Sequence, residues 1–215
     1  MKKNNMPDLV IDQLAHSLGR SDEEPNIRLA EKIAKSGSKA DVKSIFSLLD
    51  HKTTGVRSDA IKVLYEIAER NVNLVLPYTA TLISLLAHRD NRMKWGAMSA
   101  LSIISNTKPA LLVDHLAVIV QAMDTGSVIT RDHGIYILTN VARLKAHHDD
   151  CMELLLDQIE HAPVNQVPMY AEKIASVMTT PYHKRFEKIL RSRKDVLEIP
   201  SKKKRIEKVL KDLKS

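Results

Sequence analysis

Val56-Arg57-Ser58-Asp59-Ala60-Ile61-Lys62-Val63-Leu64-Tyr65-Glu66-Ile67-Ala68 is the stretch that decides the fold. Val56, Ala60, Val63, Leu64 and Ile67 recur at helical spacing and form one apolar face. Ala60 is small at the centre of that face, so another helix can approach closely there. The pattern returns at Ala97, Gly134 and Ala171, each 37 residues after the one before. Three equal steps in a chain of 215 residues define a repeat protein.

A second set of positions keeps the same period. Ile45, Leu82, Ile119 and Leu156 align at steps of 37, as do Leu48, Leu85, Ala122 and Ile159. They fall on a first helix in each unit, ahead of the helix that carries the small residue. The units run approximately over 7–37, 39–71, 72–107, 108–146 and 147–180. In the first, Leu9, Val10, Leu14 and Leu18 predict one helix. Ile27–Ser36 predicts the next, ended by Gly37. One helical pair cannot bury its face alone, so the expected fold is all-α: a right-handed α-α superhelix, or solenoid, of about five pairs. Beyond Thr180 the repeat stops. Tyr182–Arg193 predicts a helix with Phe186, Ile189 and Leu190 inward, and a last helix follows Pro200 with Ile206, Val209, Leu210 and Leu213 on one face. Residues 1–180 are thus read as the solenoid and 181–215 as a basic helical extension.

The units resemble those of the HEAT-repeat family, within the helical-repeat group that includes armadillo proteins. The residues that carry the resemblance are Leu48-Leu49-Asp50, then Val56-Arg57, Ala60, Leu64 and Ile67. Met93-Lys94, Ala97, Leu101 and Ile104 also match, and Met123-Asp124, Arg131, Gly134, Leu138 and Val141 match less fully. The fifth unit departs, with Pro168 where the basic residue should stand. The resemblance implies a ladder of loop aspartates and helix arginines, here Asp50, Arg57, Asp124 and Arg131. It speaks for fold and is nearly silent about function.

Composition narrows the functional classes. A single cysteine, Cys151, excludes an intramolecular disulfide framework and fits a reducing compartment. No apolar run approaches a membrane span, and Met1-Lys2-Lys3 is followed by polar residues rather than a signal-peptide core. The expectation is a soluble, cytoplasmic protein that does not engage membranes. Net charge is +7, but residues 181–215 hold 13 Lys/Arg against 5 Asp/Glu, leaving 20 against 21 in the rest. The basic excess therefore lies in the extension alone.

Little in the chain points to catalysis. The dispersed glycines form no phosphate-cradling loop. In His147-His148-Asp149-Asp150-Cys151 only His147 and Cys151 share a helical face, which argues for a helix start rather than a metal site. No cofactor and no metal are expected.

Binding is the better prospect. In each second helix, the positions turned away from the apolar face are Ser58, Lys62, Tyr65 and Glu69; Trp95, Ser99 and Ser102; Asp132, Tyr136, Thr139 and Arg143; and Met169, Lys173 and Ser176. In stacked helical pairs these line a concave groove. Exposed Trp and Tyr there suit a protein or peptide partner. The competing reading has Trp95 folded over a neighbouring loop as satellite core. Lys202, Lys203, Lys204, Arg205 and Lys208, with Lys211 and Lys214, could instead hold nucleic-acid phosphates, or could simply solvate the end of the array. Trp95 and Asp132, one period apart, also resemble the aromatic-and-carboxylate groove of helical-repeat DNA glycosylases. Few positive charges and no second Trp accompany them. A non-catalytic scaffold is the first reading, a nucleic-acid module the second, and such an enzyme the third.

Overall fold

The computed structural model describes residues 9–213, so Met1–Asp8, which include the start of the first repeat, and Lys214-Ser215 lie outside the described residues. The helices are α1 (Glu24–Ser36), α2 (Lys39–Ser47), α3 (Thr54–Arg70), α4 (Thr79–Ser84), α5 (Asn91–Thr107), α6 (Leu116–Thr125), α7 (Val128–Val141), α8 (His148–Glu160), α9 (Val167–Ala175), α10 (His183–Asp195) and α11 (Pro200–Asp212). Among the described residues there is no strand. The chain divides into two compact units, residues 1–104 and 105–215, with the boundary inside α5.

The periodic positions explain why these segments are helical and where they bury. Ile45, Leu82, Ile119 and Leu156 have no exposed surface, nor do Ala60, Ala97 and Ala171. Gly134 is buried, and a Cβ added there would lie 2.3 Å from Met123 Cγ and Sδ. That is the close helix approach for which the small column was selected.

In the first unit α3 packs on α1 and α2, and Phe46 stacks on Tyr78 with ring centroids 3.9 Å apart. Gly37 ends α1 in the left-handed region (φ +67°), donating its N–H to Ile33 O, and Ser38 caps α2 by accepting from Asp41 N. The helix expected over Leu9–Leu18 does not form. A 3-10 turn, Val10–Gln13, takes its place, and Leu9 and Leu18 are exposed while Leu14 and Ala15 are buried. The cause is long-range: Asn26 Oδ1 accepts from Ala15 N at 3.0 Å and Asp59 Oδ2 from His16 N at 2.6 Å. Asn26, itself fully buried, donates to Asp59 Oδ1 at 2.8 Å. These side chains take the amide hydrogens that an α-helix would use.

In the second unit α7 packs on α6, α8 and α9. Pro168 breaks no helix, because α9 begins there and its first turn tolerates the missing N–H. The basic extension then continues the pattern: α10 packs on α8 and α11 on α9, so the two make a further helical pair. Phe186, Ile189 and Leu190 are buried, as are Ile206, Val209 and Leu210.

The aspartate–arginine ladder is not built as ion pairs among the described residues. Arg57 donates to the carbonyls of His51 and Lys52 and to Thr54 Oγ1, and Asp124 accepts from Gln158 Nε2 at 2.8 Å. The guanidinium closes its own loop, and a neutral amide meets the aspartate.

Candidate functional site: the faces of the second helices

In the first unit the face is centred on Trp95. Its ring lies 5.8 Å from that of Tyr65, and Arg92 Cζ sits 4.3 Å above it. Lys62 Nζ is 4.7 Å from the Tyr65 centroid and reaches Glu66 Oε1 at 2.6 Å and Glu23 Oε2 at 3.0 Å. Arg92 pairs with Glu23 at 2.6 Å, and Arg70 with Glu66 at 2.5 Å and Glu31 at 3.2 Å. Three cations thus meet three carboxylates. Burial works against the Lys62 charge, but Glu66, Tyr65 and Glu23 hold its pKa above the ordinary lysine value. Burial likewise opposes the charge of Glu66, yet Lys62 and Arg70 keep its pKa below the usual range.

That network moves residues inward that a helical wheel turns outward. Lys62 (7% exposed) and Tyr65 (9%) are buried, covered by Glu23, Arg92 and Trp95. Ser99 is also buried, its hydroxyl donating to Trp95 O at 2.9 Å within the helix. Trp95 itself is half-buried. Its neighbours hold it in place, with Arg92 over one face of the ring and Tyr65 tilted against it.

In the second unit the face is centred on Tyr136. Lys173 Nζ stands 4.3 Å over its ring, and its hydroxyl donates to Met169 Sδ at 3.9 Å. Tyr136, Lys173 and Met169 are each half-buried. They adjoin a depression of about 470 Å³ whose lining includes Asn106, Tyr136, Asn140, Arg143, Glu172 and Lys173. Asn140 donates to Ser105 Oγ and Asn106 Oδ1, both at 2.8 Å, and its own Oδ1 accepts from Arg143 Nη1 at 3.0 Å. The amide is fixed by its two donated bonds, and it in turn aims the guanidinium.

Asp132 is turned to a different task. It accepts from Tyr170 Oη at 2.7 Å and Gln166 Nε2 at 3.4 Å. Burial raises its pKa, against the lowering effect of the Tyr170 bond, while burial and Asp132 together push the Tyr170 hydroxyl up. The carboxylate ties α7 to α9.

The basic extension is partly consumed by packing. Lys202 Nζ donates to Asn165 O and Oδ1, and Arg205 grips Glu172 with Nε at 2.7 Å and Nη2 at 2.6 Å. Lys204 and Lys208 remain exposed, and Lys203 is half-buried. Cys151 is buried, its thiol pushed up to about 12 by burial and by Asp150. His148 bonds Ala142 O and Thr179 Oγ1 through its two ring nitrogens. No group of three His, Cys, Asp or Glu among the described residues could hold a metal ion, and none of their helices is long and apolar enough to cross a membrane.

Sequence reasoning passed over Glu23, Arg92, Asn140 and Glu172. Part of that signal was present: Lys62, Glu66 and Arg70 are spaced i, i+4, i+8, and Arg92 lies three residues before Trp95. Glu23 and Asn140 engage partners far along the chain and leave no local pattern.

No protein-family model and no curated protein matches the chain. Solved structures do. An engineered protein is 19% identical, with a TM-score of 0.64 over 97% of this chain and 99% of its own. A designed armadillo repeat protein in complex with the peptide (KR)4 is 16% identical, with a TM-score of 0.63 over 96% and 99%. A computationally designed armadillo repeat protein for modular peptide recognition is 16% identical, with a TM-score of 0.59 over 94% and 97%. At such identity the likeness concerns the fold alone, and the fold is an armadillo-type helical repeat.

Proposed function

We propose that this protein is a non-catalytic, cytoplasmic scaffold of HEAT-type helical pairs that binds a peptide segment of a partner protein on the face of its second helices. The observation that carries the reading is Tyr136, a half-buried aromatic beside a depression bordered by a fixed amide, Asn140, and two cations, Arg143 and Lys173. Aromatic rings held by their neighbours lose little freedom on binding, which is why such residues dominate interfaces. The two-helix unit supports the HEAT-type assignment. The fold neighbours that hold or are designed for peptides support a peptide as the partner. Asp132, engaged by Tyr170, has the role of a helix-to-helix acceptor rather than a catalytic base.

A second reading rests on Lys203, Lys204 and Lys208, which form no ion pair among the described residues and could neutralise phosphates. With Lys202 and Arg205 engaged by Asn165 and Glu172, the remaining charge is small for a nucleic-acid site.

The test is selection from a random peptide library displayed on phage, with Tyr136→Ala and Trp95→Ala proteins as counter-selections. Enrichment of a sequence class that depends on Tyr136 is expected. Enrichment that is equal on all three proteins, or none at all, would overturn the reading.

A further inference from the structure

We infer that the Tyr136 face takes an acidic peptide segment, in which Asp or Glu carboxylates meet Arg143 and Lys173. The inference rests on the scaffold reading above and names the chemistry of its partner.

The two units treat their cations differently. Around Trp95 the three cations of the network each have a carboxylate: Lys62 has Glu66 and Glu23, Arg92 has Glu23, and Arg70 has Glu66 and Glu31. Around Tyr136 this compensation is missing. Among the described residues no carboxylate lies within ion-pair distance of Arg143 or Lys173. The acid in the depression, Glu172, is taken by both nitrogens of the Arg205 fork. Arg205 holds its carboxyl below the usual range, more than offsetting the effect of burial, with help from Lys208 and Lys173. Glu172 is therefore bound to Arg205, and Arg143 and Lys173 have no ion pair of their own among the described residues.

Both are aimed. Arg143 is exposed, with Nη1 anchored on Asn140 Oδ1, and Asn140 is itself fixed by its bonds to Ser105 and Asn106. A guanidinium held by one nitrogen keeps N–H groups for a carboxylate, and charge-assisted bonds of this kind are the strong ones. Lys173 lies flat over Tyr136, which fixes the ammonium without neutralising it. A carboxylate arriving there completes the charge balance that Glu23 and Glu66 supply in the first unit. A basic segment such as the (KR)4 peptide held by one of the fold neighbours has the wrong sign for this face.

The experiment is fluorescence anisotropy with three labelled octapeptides of alternating residues, Glu-Gly, Lys-Gly and Ser-Gly, and a labelled single-stranded oligonucleotide, at low and high salt. The full-length protein is compared with Arg143→Glu/Lys173→Glu and with the milder Arg143→Gln/Lys173→Met, which keeps the packing; circular dichroism checks each fold. The acidic peptide is expected to bind about tenfold or more tightly than the neutral one, with salt weakening it. The milder variant is expected to abolish that preference and the charge reversal to invert it. Acidic-peptide binding no tighter than neutral, or unchanged in both variants, would overturn the inference. If another peptide binds through Tyr136, the scaffold reading survives that failure; if no peptide depends on Tyr136, both fall. Oligonucleotide binding that exceeds the acidic peptide and ignores both variants would overturn it in favour of the α11 lysines.

Discussion

Arg205 reaches Glu172 with two nitrogens, at 2.7 and 2.6 Å, across 33 residues of chain. The contact joins α11 to α9 and draws basic residues of the extension into the repeat array. On the same helix Ile206, Val209 and Leu210 are all buried.

The apolar contacts, not the ion pair, should carry that docking. Arg205 and Glu172 are each more than two-fifths exposed (44% and 43%), so water screens their attraction. Arg205→Ala should cost at most about 1 kcal/mol. Ile206→Ala, which opens a cavity at a position with no exposed surface, should cost about 2–5 kcal/mol. Urea unfolding of the two variants measures the difference. Equal costs would mean that α11 is held by charge.

Gly134 occupies the column that holds alanine at 60, 97 and 171, because Met123 fills the space where a Cβ would stand. Gly134→Ala alone should destabilise by about 1–3 kcal/mol through overpacking. One period earlier the corresponding pair is Leu86 and Ala97. Gly134→Ala with Met123→Leu rebuilds that pair and should recover much of the loss. A double-mutant cycle by thermal melting checks this, and strict additivity would contradict it.

The network around Lys62 should make the protein acid-sensitive. Burial works against the charges of Glu66 and Glu23, but Lys62 with Arg70 and Arg92 holds both carboxyls below the ordinary value of 4.5. A depressed folded-state pKa contributes stability that is fully present above the unfolded value and is lost as pH falls through the folded one. Stability should therefore decline below about pH 4.5. Lys62→Met should lower stability at neutral pH and flatten that decline. Urea unfolding at a series of pH values shows whether the two curves converge in acid; parallel curves would exclude Lys62 as the cause.

The repeat was legible in the sequence because each unit must bury the same face against its neighbours. That requirement imposes a 37-residue period on Ile45, Leu82, Ile119 and Leu156 whatever else varies, and all four are fully buried. The first segment was not legible. Its amides are claimed by Asn26 and Asp59, and no local pattern at Leu9–Leu18 records a partner 43 residues away. The binding face was legible in part. A wheel separates the apolar face from its opposite, but it does not show that Glu23 and Arg92 will cover Lys62 and Tyr65. It placed Tyr136, Met169 and Lys173 on one face, where they meet. It missed Asn140, whose value lies in bonds to Ser105 and Asn106 from another helix.

The most direct measurement is the affinity of the display-selected peptides, titrated by anisotropy against three proteins: the unaltered chain, Tyr136→Ala, and Lys203→Glu/Lys204→Glu. Loss of a central aromatic anchor should weaken binding by about thirtyfold, while the α11 variant should bind like the unaltered chain. Binding that survives in Tyr136→Ala but falls in the α11 variant would contradict a scaffold that works through the face of its second helices.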